Sequence, residues 1–187
     1  MTQTHVLFIH GAGAGAHGAD AALAQSLRAG LGAGYTVLYP QMPEEEDTYE
    51  AWRAQLLQAV ASVGGPLILV AHSAGGSVVL KYLADEPDPP PLAGLFLIAT
   101  PYWGAGGWRV DTFCVDDVQA SRRLEAVPLF LSHSRDDAVV PFAHLARHAA
   151  AFPHATVRAY ADRGHQLQND LSDIAAAIRR LHDGHPA

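Results

Sequence analysis

Three short segments hold side chains that together could carry out nucleophilic attack on a carbonyl carbon. The first is Ala71-His72-Ser73-Ala74-Gly75-Gly76. It follows the apolar run Leu67-Ile68-Leu69-Val70 and leads directly into a helical pattern. It is close to G-x-S-x-G, the signature of a serine on a sharp strand-to-helix turn, with Ala71 in place of the first glycine. Such a turn closes only between small neighbours, which Ala71, Ala74, Gly75 and Gly76 supply. The hydroxyl then stands above the sheet at a helix start, where the N–H of Ala74 can face an anion. Serine is also an ordinary helix cap. The buried strand before it favours the nucleophile.

A serine hydroxyl is a weak nucleophile at neutral pH. It needs a general base, and the base needs a carboxylate to orient it. The chain offers these in the order Ser, Asp, His. The apolar run Pro128-Leu129-Phe130-Leu131 is followed by Ser132-His133-Ser134-Arg135-Asp136-Asp137, and Ala155 to Tyr160 by Asp162-Arg163-Gly164-His165. Both candidates thus lie beyond the carboxyl ends of strands, where open α/β sheets bind ligands. Asp137 is preferred to Asp136 because it precedes Val140-Pro141 and the helix that follows; Asp136 is assigned to stabilising the turn. Gly164 leaves room for His165 to return to the serine.

The chain has 11 histidines, so position alone is weak evidence for any one of them. His72 adjoins the serine and points elsewhere, supporting the site at most from behind. His144 and His148 lie one helical turn apart but lack a third ligand, and no metal site is expected. His182 and His185 fall in the C-terminal tail.

An acyl-transfer site also needs a second backbone donor. Ile9-His10-Gly11-Ala12-Gly13-Ala14-Gly15-Ala16 closes the first apolar run with small residues, and the N–H groups of Ala12 and Ala74 are assigned to the oxyanion. The same stretch matches a dinucleotide-binding fingerprint, as Gly13-x-Gly15-x-x-Gly18 or Gly11-x-Gly13-x-x-Ala16. That reading wants an acidic residue at the end of the second strand to hold the ribose. The second strand ends at Tyr39-Pro40-Gln41, and no carboxylate follows until Glu44. His10, Gly11, His72, Tyr102, Trp103 and Trp108 are the candidate pocket residues.

These groups must be positioned by regular elements. Runs at Val6–Ile9, Tyr35–Tyr39, Leu67–Val70, Leu92–Ala99, Pro128–Leu131 and Ala155–Tyr160 read as strands, the first of them buried on both faces. Helical patterns fall at Ala19–Ala29, Asp47–Ala61, Ala74–Ala84, Pro141–Phe152 and Asp170–Leu181. Glu44, Glu45, Glu46 and Asp47 suit the start of the second helix. The alternation predicts a six-stranded parallel sheet with helices on both faces. No repeat or linker interrupts residues 1–187, read as one domain. Thr100 to Ala126 lacks a pattern and reads as a loop over the site, with Tyr102, Trp103, Trp108 and Phe113 in it.

The composition narrows the partners. The 187 residues carry 12 Lys and Arg against 19 Asp and Glu, a formal charge of -7, with no basic stripe for a nucleic acid. Hydrophobic residues at 49% support a packed core. A single cysteine, Cys114, excludes an internal disulfide and a cysteine-based zinc site. No apolar run is long enough to span a membrane, and Met1 to His5 lacks the basic start of a signal peptide, so a cytoplasmic protein is expected.

Phe8-Ile9-His10-Gly11, Val70-Ala71-His72-Ser73-Ala74-Gly75, Ser134-Arg135-Asp136-Asp137 with Val140-Pro141, and Arg163-Gly164-His165 together resemble the small, nearly capless serine-hydrolase branch of the α/β-hydrolases. The resemblance spans essentially the whole chain. It implies strand order 2-1-3-4-5-6, a triad of Ser73, Asp137 and His165, and no organic or metal cofactor. Carboxylic-ester hydrolysis of a small molecule through an acyl-enzyme is the expected activity, with thioesters and small amides open and a monomer or small homo-oligomer as the form. The alternatives are an inactive hydrolase fold used as a binding module and the dinucleotide-binding domain. Two departures are Ala71 and the individual segment Pro101 to Val115.

Overall fold

The computed structural model describes residues 4–46, 48–109 and 111–183. Asp47, expected to open a helix, and Met1 to Gln3 and His185 lie outside the described residues.

Six strands form one parallel sheet: β1 (Thr4–Ile9), β2 (Tyr35–Leu38), β3 (Leu67–His72), β4 (Leu92–Ile98), β5 (Leu129–Ser134) and β6 (Thr156–Tyr160). Their order is β2-β1-β3-β4-β5-β6. The alternation of apolar side chains divides the core in two. Leu7, Ile9, Leu69 and Ala71 face one side; Val6, Phe8, Ile68 and Val70 face the other. On the first side pack α2 (Tyr49–Ala61), α3 (Ala74–Asp85), α4 (Asp117–Leu124) and α5 (Ala143–Ala151), through Trp52, Leu56, Val79, Leu124 and Leu145. On the second pack α1 (Ala16–Leu31) and α6 (Ser172–His182), through Leu23, Leu27, Ile174 and Ile178. Both faces of the central strands are buried, so their sequences read as unbroken apolar runs rather than alternating ones. This is the α/β-hydrolase architecture expected from the sequence.

The expectation of a structureless loop from Thr100 to Ala126 is corrected. It contains a 3-10 turn at Asp111–Phe113 and the helix α4. Only Ala120 and Leu124 of α4 are buried, so it shows no apolar stripe. Its signals are polar: the Asp116 carboxylate caps the N–H groups of Val118 and Gln119 at 3.0 and 3.1 Å, and Arg122 and Arg123 lie in the last turn. The acidic run before α2 is also reassigned. Thr48 caps that helix, whereas Glu44 accepts the N–H of His17 in the first turn of α1. Among the described residues no helix is long and apolar enough to cross a membrane, and no group of His, Cys, Asp or Glu is placed to hold a metal.

Candidate active site

Ser73 sits between β3 and α3 with φ 51° and ψ −131°, a backbone conformation that a non-glycine residue adopts only under constraint. The constraint is visible on both sides. The Ser73 N–H donates to the Ile98 carbonyl at 2.8 Å, and its carbonyl accepts from Gly76 at 2.9 Å. A Cβ on Gly75 would run into the His10 carbonyl, and one on Gly76 into the Thr100 side chain. The small residues therefore let α3 start against the ends of β1 and β4. As the first residue of α3, Ala74 has an N–H with no partner within the helix.

Ser73, Ala74 and Ala12 line one cleft of about 770 Å³. Trp52, Val78, Trp103, Trp108, Phe113 and Val139 give it an apolar wall, with Glu50 at its rim. Trp103 packs against Trp108 and Phe113 and is anchored by its indole N–H on Ser77 Oγ at 2.7 Å.

His165 follows β6, and Asp137 follows β5. The His165 Nδ1–H donates to Asp137 Oδ2 at 2.8 Å, leaving Nε2 as the nitrogen that can take a proton. Asp137 Oδ1 accepts from the N–H groups of Val139 and Val140 at 2.8 and 2.9 Å, and its side chain has no exposed surface. His133 Nε2 donates to the Val140 carbonyl at 3.0 Å and lies 3.0 Å from Asp137 Oδ2. Burial opposes the charge on Asp137, but the His165 imidazole and the N–H groups of Val140 and Val139 outweigh it and hold the carboxyl below its ordinary range. His165 is lowered from its ordinary value, by burial first and by His72 second, against the opposing pull of Asp137.

The imidazole reaches the serine's neighbourhood through His72. The His72 and His165 rings are 4.7 Å apart, and His72 Nε2 donates to the His165 carbonyl at 3.1 Å. The Ser73 hydroxyl itself is not hydrogen-bonded to His165 here. In unliganded enzymes that contact is often long and tightens with substrate.

The remaining sequence candidates separate. Gly11 backs directly onto Ser73, where an added Cβ would crowd the serine Cβ at 3.2 Å. His10 is fully buried; its Nδ1–H donates to the Gly11 carbonyl at 2.6 Å and its Nε2 accepts from Met42 at 2.9 Å. His72 is buried as well. Neither lines the cleft. Tyr102 is turned away, with its hydroxyl on Asp117 at 2.5 Å, whereas Trp103 and Trp108 do line the cleft. His144 Nδ1 accepts the Tyr102 N–H at 2.9 Å, a structural use of one member of the histidine pair. Asp136 does more than hold its own turn. Its Oδ1 accepts from Ser134 Oγ at 2.5 Å and from the Gly164 N–H at 2.8 Å, which ties the His165 loop to β5. Sequence reasoning missed Asp20, which accepts from His72, and no local signal marks it.

The family model described as "Serine hydrolase" matches residues 28–171, a span that holds Ser73, Asp137 and His165. No curated protein matches the sequence. Among solved structures, the chain is similar to a serine hydrolase from the polyaromatic-hydrocarbon-degrading bacterium Cycloclasticus zankles. The TM-score is 0.79 at 16% identity, covering 98% of this chain and 91% of that one. It is similar to the ydeN gene product of B. subtilis, with TM-score 0.75 at 19% identity over 97% and 100% of the two chains. The esterase domain of a Rhodothermus marinus protein superimposes with TM-score 0.65 at 20% identity, covering 98% and 87%. At these identities the structural likeness speaks for the fold, and the family match for the chemistry. The chain belongs to the serine hydrolase family.

Proposed function

We propose that the chain hydrolyses carboxylic esters of small molecules, with Ser73 as nucleophile, His165 as general base and acid, and Asp137 as the orienting carboxylate. The observation that carries the reading is the constrained Ser73 in the lining of an apolar cleft, together with a histidine held by a buried carboxylate and packed against the neighbouring His72. His165 Nε2 takes the Ser73 proton as Oγ bonds to the substrate carbonyl carbon. The N–H groups of Ala12 and Ala74 receive the oxyanion; each such donor contributes roughly 2.7–4 kcal/mol. Collapse of the tetrahedral species breaks the ester C–O bond, and His165 returns its proton to the departing alcohol. A water, deprotonated by His165, then releases the acid and restores Ser73.

The apolar walls of the cleft suit an uncharged acyl or alcohol group. The R. marinus esterase domain offers an analogy for the ester class. Residues 100–127 form a variable segment over the cleft of a single domain, and the form is a cytoplasmic monomer or small homo-oligomer.

A binding module built on the same fold is the second reading, favoured by the open Ser73–His165 contact. A fluorophosphonate probe and p-nitrophenyl acetate separate the two. The expected result is covalent labelling at Ser73, and turnover that falls on the order of 10⁶-fold in Ser73→Ala. A folded wild-type protein that neither labels nor turns over would establish the module.

A further inference from the structure

Asp20 lies on α1, 52 residues from His72 and 146 from Gln166, and is 2% exposed. Its Oδ2 accepts from the Gly11 N–H at 2.9 Å and from His72 Nδ1 at 2.8 Å, and its Oδ1 from Gln166 Nε2 at 3.0 Å. These three donors belong to three different parts of the site. Gly11 precedes Ala12; His72 precedes Ser73; Gln166 follows His165. His72 passes the link on, because its Nε2 donates to the His165 carbonyl at 3.1 Å. The two ring nitrogens of His72 thus face two acceptor oxygens, Asp20 Oδ2 and the His165 carbonyl.

We infer that Asp20 is a positioning residue: one buried carboxylate sets the oxyanion loop, the nucleophile turn and the base-bearing loop in register with one another. The inference rests on the proposed triad and adds a residue that touches none of the reacting atoms. Its importance follows from the topology. The three segments leave the sheet at the ends of β1, β3 and β6, and β6 is three strands away from β3. The sheet fixes the strand ends and Asp136 ties the His165 loop to β5, but Asp20 joins that loop to the segments that follow β1 and β3. A displacement of about 1 Å in a catalytic group costs on the order of 100-fold in rate.

The test compares Asp20→Ala, Asp20→Asn and Gln166→Ala with the wild type on p-nitrophenyl acetate, reading kcat and KM separately alongside thermal unfolding. Asp20→Ala removes all three ties, and its kcat should fall about 100-fold with KM unchanged. Asp20→Asn can rescue. Its amide oxygen can serve Gly11 and His72, while Gln166 turns its amide to offer Oε1, which has no partner among the described residues of the wild type. Its kcat should stay within about 10-fold of wild type. If Asp20→Ala does not fold, Gln166→Ala decides, with an expected loss of about 10-fold in kcat at constant KM. A lowered melting temperature with kcat per folded molecule within about 2-fold of wild type in these variants would overturn the inference and leave the triad standing. Failure of the wild type to turn over would overturn the triad, and the inference with it.

Discussion

Asp137→Asn tests the site most sharply, because the structure dictates how the new amide must sit. Oδ1 of Asp137 faces two backbone donors, the N–H groups of Val139 and Val140. Oδ2 faces the His165 Nδ1–H and stands beside the His133 Nε2–H, which is committed to the Val140 carbonyl. An asparagine can place its oxygen toward only one of these sets. With the oxygen toward His165, the NH₂ opposes two backbone N–H groups in a site with no exposed surface. Each buried donor left unpaired costs about 1–3 kcal/mol, so that orientation is excluded. With the oxygen on the backbone, the NH₂ faces His165 Nδ1.

His165 then relieves the opposed donors by moving its hydrogen from Nδ1 to Nε2. The tautomer with hydrogen on Nε2 cannot accept the serine proton. A wrong-tautomer base of this kind lowers kcat about 10⁴-fold, which is ~5 kcal/mol of barrier at 1.36 kcal/mol per decade. The backbone contacts survive, so unfolding by heat should shift only modestly. The assay is steady-state ester hydrolysis beside circular dichroism, with Asp136→Asn as the neighbouring control. Asp136→Asn keeps an acceptor for Ser134 and Gly164 and should stay within about 10-fold of wild type. A folded Asp137→Asn protein with kcat within about 10-fold of wild type would refute Asp137 as the orienting carboxylate.

Two pH effects follow from buried histidines. Burial and the adjacent His72 lower His165, so its base form persists to lower pH than an ordinary histidine's. The acid limb of kcat/KM should therefore have its midpoint below ~6.5; a midpoint at or above that value contradicts the assignment. His148 is pushed down to about 4 by burial, which outweighs the opposing pull of the Pro101 and Thr100 backbone. The unfolded chain binds the proton more readily. The stability contribution is thus fully present above ~6.5 and is lost as pH falls toward about 4, amounting to about 3 kcal/mol. His148→Leu should abolish that loss, read as the change in urea midpoint between neutral and acid pH. An equal acid loss in both proteins would show that His148 is not the source.

The parts of the site legible in the sequence are those with a local cause. The Ser73 turn announces itself because strand, small residues and helix must be contiguous for the turn to close. Asp137 and His165 are legible because strand ends bear ligands in open parallel sheets. The end of β5 is less so: Ser132, His133 and Ser134 are polar, yet they continue the strand and are buried. Hydrogen bonds at the rim of the site, not apolar character, keep them there. Asp20 and Gln166 had no signature, because their meaning arises from pairings more than 50 residues apart. His10 looked available for substrate until the fold enclosed it between the Gly11 carbonyl and the Met42 N–H.

The glycine-rich loop shows why the dinucleotide reading and the hydrolase reading diverge at the level of helix ends. Two helices begin beside small residues after parallel strands, α1 after Gly15 and α3 after Ser73. Each N-terminus offers backbone N–H groups and a partial positive charge. At α1 that offer is already taken, since the Glu44 carboxylate from the segment before α2 accepts the His17 N–H. A phosphate placed there would have to displace the chain's own anion and meet its charge. At α3 no side chain caps the helix, and Ala74 opens onto the cleft shared with Ser73 and Ala12. The same local physics thus closes one helix end with the chain's own anion and leaves the other open for the proposed oxyanion. In this chain Gly11 serves close approach to the nucleophile, while Gly13 and Gly15 serve the positive-φ turn into α1.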